Sequence, residues 1–369
     1  MNKLNIFSFF SGSGFLDLGF ELNGYSIELV NEFSSSFINA YKYSRKQMGL
    51  KVPKYGYSNI DINEYLEKRS EELLHYITDA RQGDNLVGFI GGPPCPDFSV
   101  AGKQRGRYGD NGKLSLSYVQ LIISQQPDFF LFENVKGLWK TAKHREFYEE
   151  LKTMLSESGY YMTDRLTNAI EFGAPQNRDR ILLFGVNKKL FPNCTENPLV
   201  DFPWKKYIKN SLKDLKQIKW PTTAEFNENS IMECPTDIPR ELTVQYWFEK
   251  NDVENHPNGK ECFVPRSGIT KMLSVAEGDD SKKSYKRLHR WRYSPTVAYG
   301  NNEVHLHPYK ARRLTVAEAL ALQSLPKNFS LPPKMSLTDK FKTIGNGVPF
   351  MLSSGIAKTI YDFMIGVLE

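Results

Sequence analysis

The fold class is decided by the stretch Leu4-Asn5-Ile6-Phe7-Ser8-Phe9-Phe10-Ser11-Gly12-Ser13-Gly14-Phe15. Its first seven residues are apolar enough for a buried strand, and its glycines suit a tight turn into a helix over Leu16–Leu22. A strand, a glycine-rich turn and a helix in this order often bind a ligand at the helix N-terminus. A Gly-x-Gly turn alone is weak evidence, because many such turns bind nothing.

Strands and helices alternate along the first half of the chain. Strands are predicted over Ser26–Val30, Leu86–Ile90 and Asp128–Phe132, with helices near Ser35–Gln47 and Leu116–Gln125. Strands separated by helices pair in parallel, so we expect an α/β fold with a doubly wound, mostly parallel sheet. Ligands of such sheets bind beyond the carboxyl ends of the strands.

The second half of the chain is less regular. Residues 191–292 are rich in Pro, Asn, Lys and Trp, and we expect a second, smaller, irregular domain there. A helix is predicted within Arg312–Leu325, where Thr315 and Glu318 have the spacing of a capping box. A last helix over Met351–Val367 carries an apolar stripe that we expect to pack against the first domain.

Composition limits the class of protein. A chain of 369 residues suits two domains, and its net charge of +6 is compatible with a nucleic-acid partner without requiring one. The sequence has no long apolar run, and its short apolar start reads as a strand, so we expect neither a membrane span nor a signal peptide. The cysteines Cys95, Cys194, Cys234 and Cys262 form no C-x-x-C pair, which indicates a reducing compartment without disulfides or zinc.

Cys95 stands in a proline-rich loop, Gly91-Gly92-Pro93-Pro94-Cys95-Pro96-Asp97-Phe98-Ser99. The two glycines would tolerate the turn that ends the preceding strand, and the prolines fix the backbone around the cysteine. Such a rigid presentation suits a nucleophile. The alternative is a small buried hydrophobic residue in a turn.

Two carboxylates follow predicted strands near the glycine-rich turn. Glu32 is placed to accept hydrogen bonds from ribose hydroxyls, and Asp61 could accept one from an adenine amino group. Each of them, taken alone, is more readily explained as a surface charge. Together they favour a cofactor that contains a nucleoside.

The chain resembles the DNA (cytosine-5)-methyltransferases. The motifs that carry the resemblance are Phe10–Gly14, Pro94-Cys95, Glu133-Asn134-Val135, Gln176-Asn177-Arg178-Asp179-Arg180, Arg312-Arg313-Leu314-Thr315 with Glu318, and Gly345-Asn346-Gly347-Val348-Pro349. These motifs in family order across almost the whole chain are far more specific than any one of them. The chain departs from the family pattern at Phe15, Pro96 and Asn111-Gly112, where glycine, glutamine and an Arg-Gly pair are usual.

The resemblance implies transfer of a methyl group from S-adenosyl-L-methionine to C5 of a cytosine in duplex DNA, which leaves S-adenosyl-L-homocysteine. Cys95 would add to C6 of the base, because loss of aromaticity makes C5 nucleophilic. Glu133 would protonate N3, and Arg178 would bind the cytosine carbonyl. Arg180 would hold that loop or pair with Glu133.

The resemblance also implies a cofactor site and a division of the chain. The cofactor-binding residues would be Phe10, Ser11, Gly12, Ser13, Gly14, Glu32, Asp61, Ile62, Pro94, Leu114, Asn346 and Val348. No metal is expected. Residues 1–190 and 345–369 would form the catalytic domain, residues 191–292 the target-recognition domain, and residues 293–344 the hinge and helix that join them.

Two basic segments are candidates for contact with DNA. The target base must leave the stack, so we expect a mobile loop after Cys95 to close over the DNA. Its candidate contacts are Ser99, Lys103, Gln104 and Arg105. A phosphate-binding strip is predicted from Arg287, Arg290 and Arg292, with a solvated charged face as its alternative. We further expect a monomer in the bacterial cytoplasm, associated with the nucleoid and paired in function with a restriction endonuclease.

Three other functions stay open at this point. An RNA-directed enzyme would use the same core motifs, although a recognition region of this size favours duplex DNA. A DNA-binding relative without activity would keep the fold but lose the nucleophile or the carboxylate. A nicotinamide dehydrogenase would share the glycine-rich start but leave Cys95 and Glu133 unexplained.

Overall fold

The computed structural model describes residues 4–94, 110–265, 268–282, 284–297, 299 and 304–368. Seven strands form the main sheet: β1 (Leu4–Phe9), β2 (Ser26–Asn31), β3 (Tyr57–Ser58), β4 (Leu86–Gly91), β5 (Phe129–Val135), β6 (Tyr160–Asn168) and β7 (Asp179–Asn187). Their order across the sheet is β3-β2-β1-β4-β5-β7-β6.

The sheet is mostly parallel, as the alternation of strands and helices predicted. Strands β3, β2, β1, β4 and β5 pair in parallel, while β7 runs antiparallel between β5 and β6. The chain turns back between β6 and β7, so β7 begins where its neighbour β5 ends. We call this end of the sheet, where β1, β2, β4, β5 and β6 finish, the carboxyl edge.

Twelve α-helices are described. They are α1 (Phe15–Glu21), α2 (Ser35–Gln47), α3 (Ser70–Ala80), α4 (Asp110–Gln125), α5 (Lys136–Lys140), α6 (Ala142–Glu157), α7 (Leu212–Gln217), α8 (Val244–Lys250), α9 (Ile269–Leu273), α10 (Val316–Leu322), α11 (Leu337–Asn346) and α12 (Phe350–Leu368). Among these described helices, none has the length and apolar character that a bilayer crossing requires.

The sheet is buried on both faces, which explains its nearly continuous apolar strands. Helices α1 and α12 cover one face, where Leu352, Ile356 and Ile360 share a core with Leu4 and Ile6. Helices α3, α4 and α6 cover the other face. The last helix therefore returns to the first domain, as its apolar stripe predicted.

A third core lies outside the sheet. It joins α8, α10 and α11 to part of α1, and its buried residues include Trp247, Leu320 and Phe341. The capping box predicted at Thr315 and Glu318 is present at the start of α10. The helix begins after Thr315, as the capping box predicted, and it ends at Leu322 rather than at Leu325, because Ser324 adopts a φ of 54° that a helix cannot contain.

The predicted recognition domain does not pack as one separate unit. Leu199, Phe202 and Trp204 belong to the core of the main sheet, although they follow the predicted boundary at residue 190. Helix α8 belongs to the third core with α10. A two-stranded sheet of β8 (Lys286–Arg287) and β9 (His305–Leu306) contributes little regular structure. The exact division into domains stays a prediction.

Candidate active site

Glu133 is the centre of a buried ion pair at the carboxyl edge. It lies near the end of β5, and the antiparallel register places Val135 opposite Arg180 at the start of β7. Arg180 Nε lies 2.7 Å from Glu133 Oε1, with both side chains less than a tenth exposed. Of the two roles predicted for Arg180, the structure shows the pairing with Glu133.

The surroundings of Glu133 favour its protonated form. Burial raises the pKa of the Glu133 carboxyl, and the positive charges of Arg180 and Arg178 only partly offset that rise. A carboxyl group with a raised pKa retains its proton at a pH where an exposed glutamate has lost it. Glu133 is therefore suited to donate a proton or a hydrogen bond.

Gly91 and Gly92 make room for side chains rather than for a turn. Neither residue has a positive φ, so the turn predicted for them is not their role. A Cβ atom at Gly92 would lie 2.6 Å from Glu133 Oε2, and one at Gly91 would lie 2.7 Å from the Tyr118 ring. The absence of a side chain at Gly92 lets the backbone pass directly beside the catalytic-site carboxylate.

Two nitrogens of the Arg178 guanidinium bind backbone carbonyl groups. The side chain is fully buried, and it donates hydrogen bonds to the carbonyl oxygens of Val297 (2.7 Å) and Gly345 (2.6 Å). Its Nε has no hydrogen-bond partner among the described residues. Binding of the base by Arg178 therefore stays a prediction, and Arg180 is the arginine that lies beside Glu133.

The predicted nucleophile Cys95 lies outside the described residues. The same is true of the predicted DNA contacts Ser99, Lys103, Gln104 and Arg105. The chain is described up to Pro94, which is half-buried, and Asn134 Nδ2 lies 3.5 Å from the carbonyl oxygen of Pro93. Cys95 follows directly on a segment held beside the end of β5.

The glycine-rich turn is joined to Glu32 at the carboxyl edge. Glu32 follows β2, and its carboxylate accepts hydrogen bonds from the backbone N–H groups of Gly12 (2.9 Å) and Ser34 (2.7 Å). Burial raises the pKa of Glu32, which these two hydrogen bonds oppose. A carboxylate can accept about four hydrogen bonds, so it retains capacity for a ligand hydroxyl.

The turn residues have different roles from those expected of them. Ser11 and Ser13 are buried and direct their hydroxyls inward, to Asn31 O at 3.0 Å and to Thr343 Oγ1 at 2.7 Å. Gly14 has a φ of 81°, and a Cβ atom there would lie 2.4 Å from the Tyr41 ring. Only Gly12 has an open side, so the close approach to a ligand predicted for both glycines fits Gly12 alone.

The remaining predicted cofactor residues lie along the same edge or in the adjoining core. Phe10 is half-buried with a φ of 53°, and its ring packs edge-on against Tyr118. Asp61 accepts a hydrogen bond from Asn63 N at 2.9 Å. Ile62 and Val348 are buried, Leu114 is half-buried and Asn346 is exposed.

One aromatic side chain was not predicted. Phe33 follows Glu32 directly and is 72% exposed, although the carbonyl groups of both residues accept hydrogen bonds from Asn59. A large apolar ring held in the open beside a candidate ribose acceptor is suited to stack on a purine. Its position next to Glu32 was the signal available in the sequence.

The last turn of α11 connects the glycine-rich turn to Arg178. Thr343 bonds Ser13 of the glycine-rich turn, and Gly345 accepts a hydrogen bond from Arg178. Tyr118 supplies a second connection, because its ring contacts both Phe10 and Phe132 of β5. The structure therefore brings the two predicted sites together.

The basic strip predicted to bind DNA is largely internal. Arg287 is fully buried and donates hydrogen bonds to the backbone oxygens of Val275, His307 and Met272. Arg290 is buried and paired with Glu277 at 2.8 Å. DNA contact is therefore wrong for these two arginines. Arg292 is half-exposed and bonds the Gly278 carbonyl, and its DNA contact stays a prediction.

A family comparison agrees with this geometry. The family model for C-5 cytosine-specific DNA methylases matches residues 4–362. The chain belongs to this family. Within the described ranges, no group of three or more His, Cys, Asp or Glu side chains is placed to hold a metal ion.

The relatives of this DNA methylase include bacterial enzymes of similar length. It is 55% identical over 363 residues to the type II methyltransferase M.NmeDI of Neisseria meningitidis serogroup C, covering 98% of this chain and 84% of the relative. It is 30% identical to the type II methyltransferase M.FnuDI of Fusobacterium nucleatum, covering 97% and 94%.

A solved structure supports the fold of this DNA methylase. A putative DNA modification methyltransferase encoded within an E. coli prophage has a TM-score of 0.67 and 22% identity, with 98% of this chain and 100% of that chain covered. At this identity the similarity establishes the fold alone.

Proposed function

We propose that this DNA methylase transfers the methyl group of S-adenosyl-L-methionine to C5 of a cytosine flipped out of duplex DNA. The observation that carries the proposal is the buried Glu133 carboxyl. It has a raised pKa and is paired with Arg180 at the carboxyl edge. The family motif residues Pro94-Cys95 follow the neighbouring strand β4.

The chemistry assigns one task to each of three side chains. The Cys95 thiolate forms a bond to C6 of the base, and the displaced electron pair moves toward N3 and the carbonyl. Glu133 donates its proton to N3, so that negative charge does not accumulate on the ring. The Arg180 guanidinium stabilises the charge that develops on the carbonyl oxygen.

The reaction ends by reversing the covalent step. Once C5 carries the new methyl group, N3 gives its proton back to Glu133 and a base removes the C5 proton. The C5–H electron pair re-forms the C5–C6 double bond as the C6–S bond breaks, and the sulfur of Cys95 leaves with its electron pair as thiolate. A water molecule is the base that we propose for the C5 proton.

The residues of the carboxyl edge fit the proposed cofactor. Glu32 would accept hydrogen bonds from the ribose hydroxyls, Phe33 would stack on the adenine, and Asp61 would accept from its amino group. Gly12 would lie against the ligand, because a Cβ atom there would meet nothing closer than Thr343 Oγ1 at 4.0 Å. When bound, S-adenosyl-L-methionine supplies an electrophilic methyl group on its sulfonium sulfur.

The proposal extends to the biological setting. Residues 191–292 would recognise a short base sequence in the major groove. The relatives are named type II methyltransferases, and by analogy a restriction endonuclease of the same specificity would be the functional partner. One active site per chain makes a monomer sufficient, and the bacterial cytoplasm is the proposed location.

Bisulfite sequencing of plasmid DNA from cells that express the chain tests this function. Methylation at C5 protects cytosine from deamination, so one short sequence should be protected in every copy. The Cys95→Ser variant is the control and should leave that sequence unprotected. A folded wild-type protein that protects no cytosine in DNA, but transfers labelled methyl groups to tRNA, would replace this proposal by an RNA-directed enzyme.

A further inference from the structure

A second basic segment is exposed, unlike the buried arginines of residues 287–290. Residues 205–219 contain six lysines and a single acidic residue, Asp214. Lys206 pairs with Asp362, and the other five are exposed and take part in no ion pair among the described residues. We call four of these five the lysine strip: Lys209, Lys213, Lys216 and Lys219.

The lysine strip begins at the carboxyl edge. The backbone N–H groups of Lys209 and Asn210 donate to the Glu171 carbonyl oxygen at 2.8 and 3.0 Å. Glu171 lies in a short 3-10 helix, Ala169–Phe172, directly after β6 ends. The strip therefore starts at the end of the sheet that carries Glu133.

The other end of the strip lies near residues 293–297, which lead into the third core and which we call the junction. Leu215 of α7 packs in one apolar cluster with Ile170, and Trp220 packs edge-on against Tyr293. The next residue, Ser294, exchanges backbone hydrogen bonds with Pro175 and Asn177. The strip thus packs against the turn that joins β6 to β7. That turn contains Arg178 and leads into β7, where Arg180 lies.

The arrangement concentrates positive charge along a segment in which Asp214 is the single acidic residue. Lys213 and Lys216 are three residues apart on α7 and share one side of the helix, while Leu215 packs inward. Lys250 of α8 lies nearby. Burial lowers the pKa of Lys250, and the positive charge of Lys209 lowers it further. Like charges held together cost stability, and an anion bound across them would relieve that cost.

We propose that the lysine strip binds the phosphates of duplex DNA outside the recognised bases. This inference rests on the proposed function, because it assumes that DNA reaches the carboxyl edge. Exposed lysines with free ammonium groups suit sequence-independent phosphate contacts, whereas Arg287 and Arg290 have used their donors internally. The strip takes the role that the sequence assigned to Arg287 and Arg290.

The salt dependence of DNA binding tests the strip. The triple variant Lys213→Gln, Lys216→Gln, Lys219→Gln is compared with the wild type on a labelled, mixed-sequence duplex over a series of NaCl concentrations. Each lost phosphate contact should reduce the slope of log K against log salt by about 1, and the three together by about 2 to 3. A slope equal to that of the wild type would overturn the proposal.

A matched control separates local contact from overall charge. The variant Lys46→Gln, Lys51→Gln, Lys189→Gln removes the same charge from exposed lysines without ion pairs in the described structure. Lys46 lies in the last turn of α2, Lys51 follows that helix and Lys189 follows β7, and both elements run away from the carboxyl edge. Its slope should stay close to that of the wild type. An equal loss of slope in both variants would show that net charge, and not the position of the strip, causes the loss, and this would overturn the proposal.

Methyl transfer measured at saturating DNA and low salt distinguishes a failure of the strip proposal from a failure of the proposed function. If the wild type transfers labelled methyl groups, the proposed function stands, and the strip variant should retain its kcat with a raised KM for DNA. If the wild type transfers none but binds the duplex with the predicted slopes, the function fails and the strip remains. A strip variant with reduced kcat at saturating DNA would contradict a role limited to phosphate binding.

Discussion

Glu133 and Arg180 form the chemical centre of the proposed reaction. Their pairing is set by two neighbouring strands, since the end of β5 lies beside the start of β7. Burial raises the pKa of the Glu133 carboxyl, and the positive charge of Arg180 opposes that rise without cancelling it. The raised pKa of Glu133 therefore has a direct kinetic consequence.

Replacing Glu133 by Gln keeps its shape but removes its proton. We expect kcat to fall by about 10²- to 10⁴-fold, because N3 is no longer protonated during attack by the thiolate. In the wild type, the raised pKa predicts that activity declines as rising pH removes the proton from Glu133. Labelled methyl transfer at saturating DNA, measured across pH, gives both results. A Gln variant with near wild-type kcat would refute the assignment of Glu133 as the acid.

Replacing Gly92 by Ala tests the space that Glu133 needs. The added Cβ would lie 2.6 Å from Oε2, so the carboxylate must move away from its position beside Arg180. A displacement of that size should lower kcat by about tenfold or more. Gly366→Ala is the matched control, because a Cβ there meets nothing within 4 Å. Equal kcat values for both variants and the wild type would show that the site tolerates the shift.

The site residues differ in how far the sequence could predict them. Glu133 and the predicted ion pair follow from motif spacing, because strand ends at one edge bring such residues together. The burial of Arg178 depends on Val297 and Gly345, which lie far away in the chain. Partners that only the tertiary fold supplies leave no local pattern, so these two hydrogen bonds of Arg178 could not be predicted.

The elements themselves were predictable where their periodicity is strong. Strands β1, β2 and β4 lie within one residue of their predicted bounds, and α2 matches Ser35–Gln47. The antiparallel strands β6 and β7 were not predicted. The described part of residues 191–292 contains mainly short elements whose position depends on distant contacts, and no clear period marks them in the sequence.

Helix α1 carries a buried carboxyl group that makes stability depend on pH. Asp17 is fully buried, and burial raises its pKa despite the positive charge of Arg45. The folded protein therefore holds a proton that the unfolded chain has released at the same pH. As pH rises from the unfolded toward the folded pKa, this group should lower the free energy of unfolding by up to about 1.4 kcal/mol per pH unit.

The variant Asp17→Asn isolates that effect. Its stability relative to the wild type should rise with pH over the same interval and then level off, because the amide has no proton to lose. Urea unfolding of both proteins from about pH 5 to about pH 9 measures the difference. A difference that stays constant across the range would show that Asp17 does not titrate with a raised pKa.

At the scale of the whole molecule, Arg178 connects three distant parts of the chain. Its guanidinium joins the turn before β7 to Val297 of the junction and to Gly345 at the end of α11. Gln176 strengthens the same junction, with its side-chain oxygen accepting from Val297 N at 3.1 Å and its amide donating to Leu322 O at 3.0 Å. Arg178 is thus a positioning residue.

The pair of variants Arg178→Lys and Arg180→Lys separates positioning from catalysis. A lysine at 178 cannot span both carbonyl oxygens, so the free energy of unfolding should fall by roughly 2 to 5 kcal/mol. A lysine at 180 keeps a positive charge near Glu133 and should lower kcat more than stability. Urea unfolding and saturating methyl transfer measure the two effects. A stability loss confined to Arg180→Lys would reverse the assignment.

The covalent step is the central claim, and trapping it is the most direct test. The substrate is a duplex in which the target cytosine, identified by bisulfite sequencing, is replaced by 5-fluorocytosine. Because fluorine takes the place of the C5 proton and cannot be removed by a base, the covalent adduct should persist after methyl transfer. Peptide mapping by mass spectrometry should then locate the DNA adduct on Cys95. Absence of an adduct, or an adduct on Cys194, Cys234 or Cys262, would contradict the account.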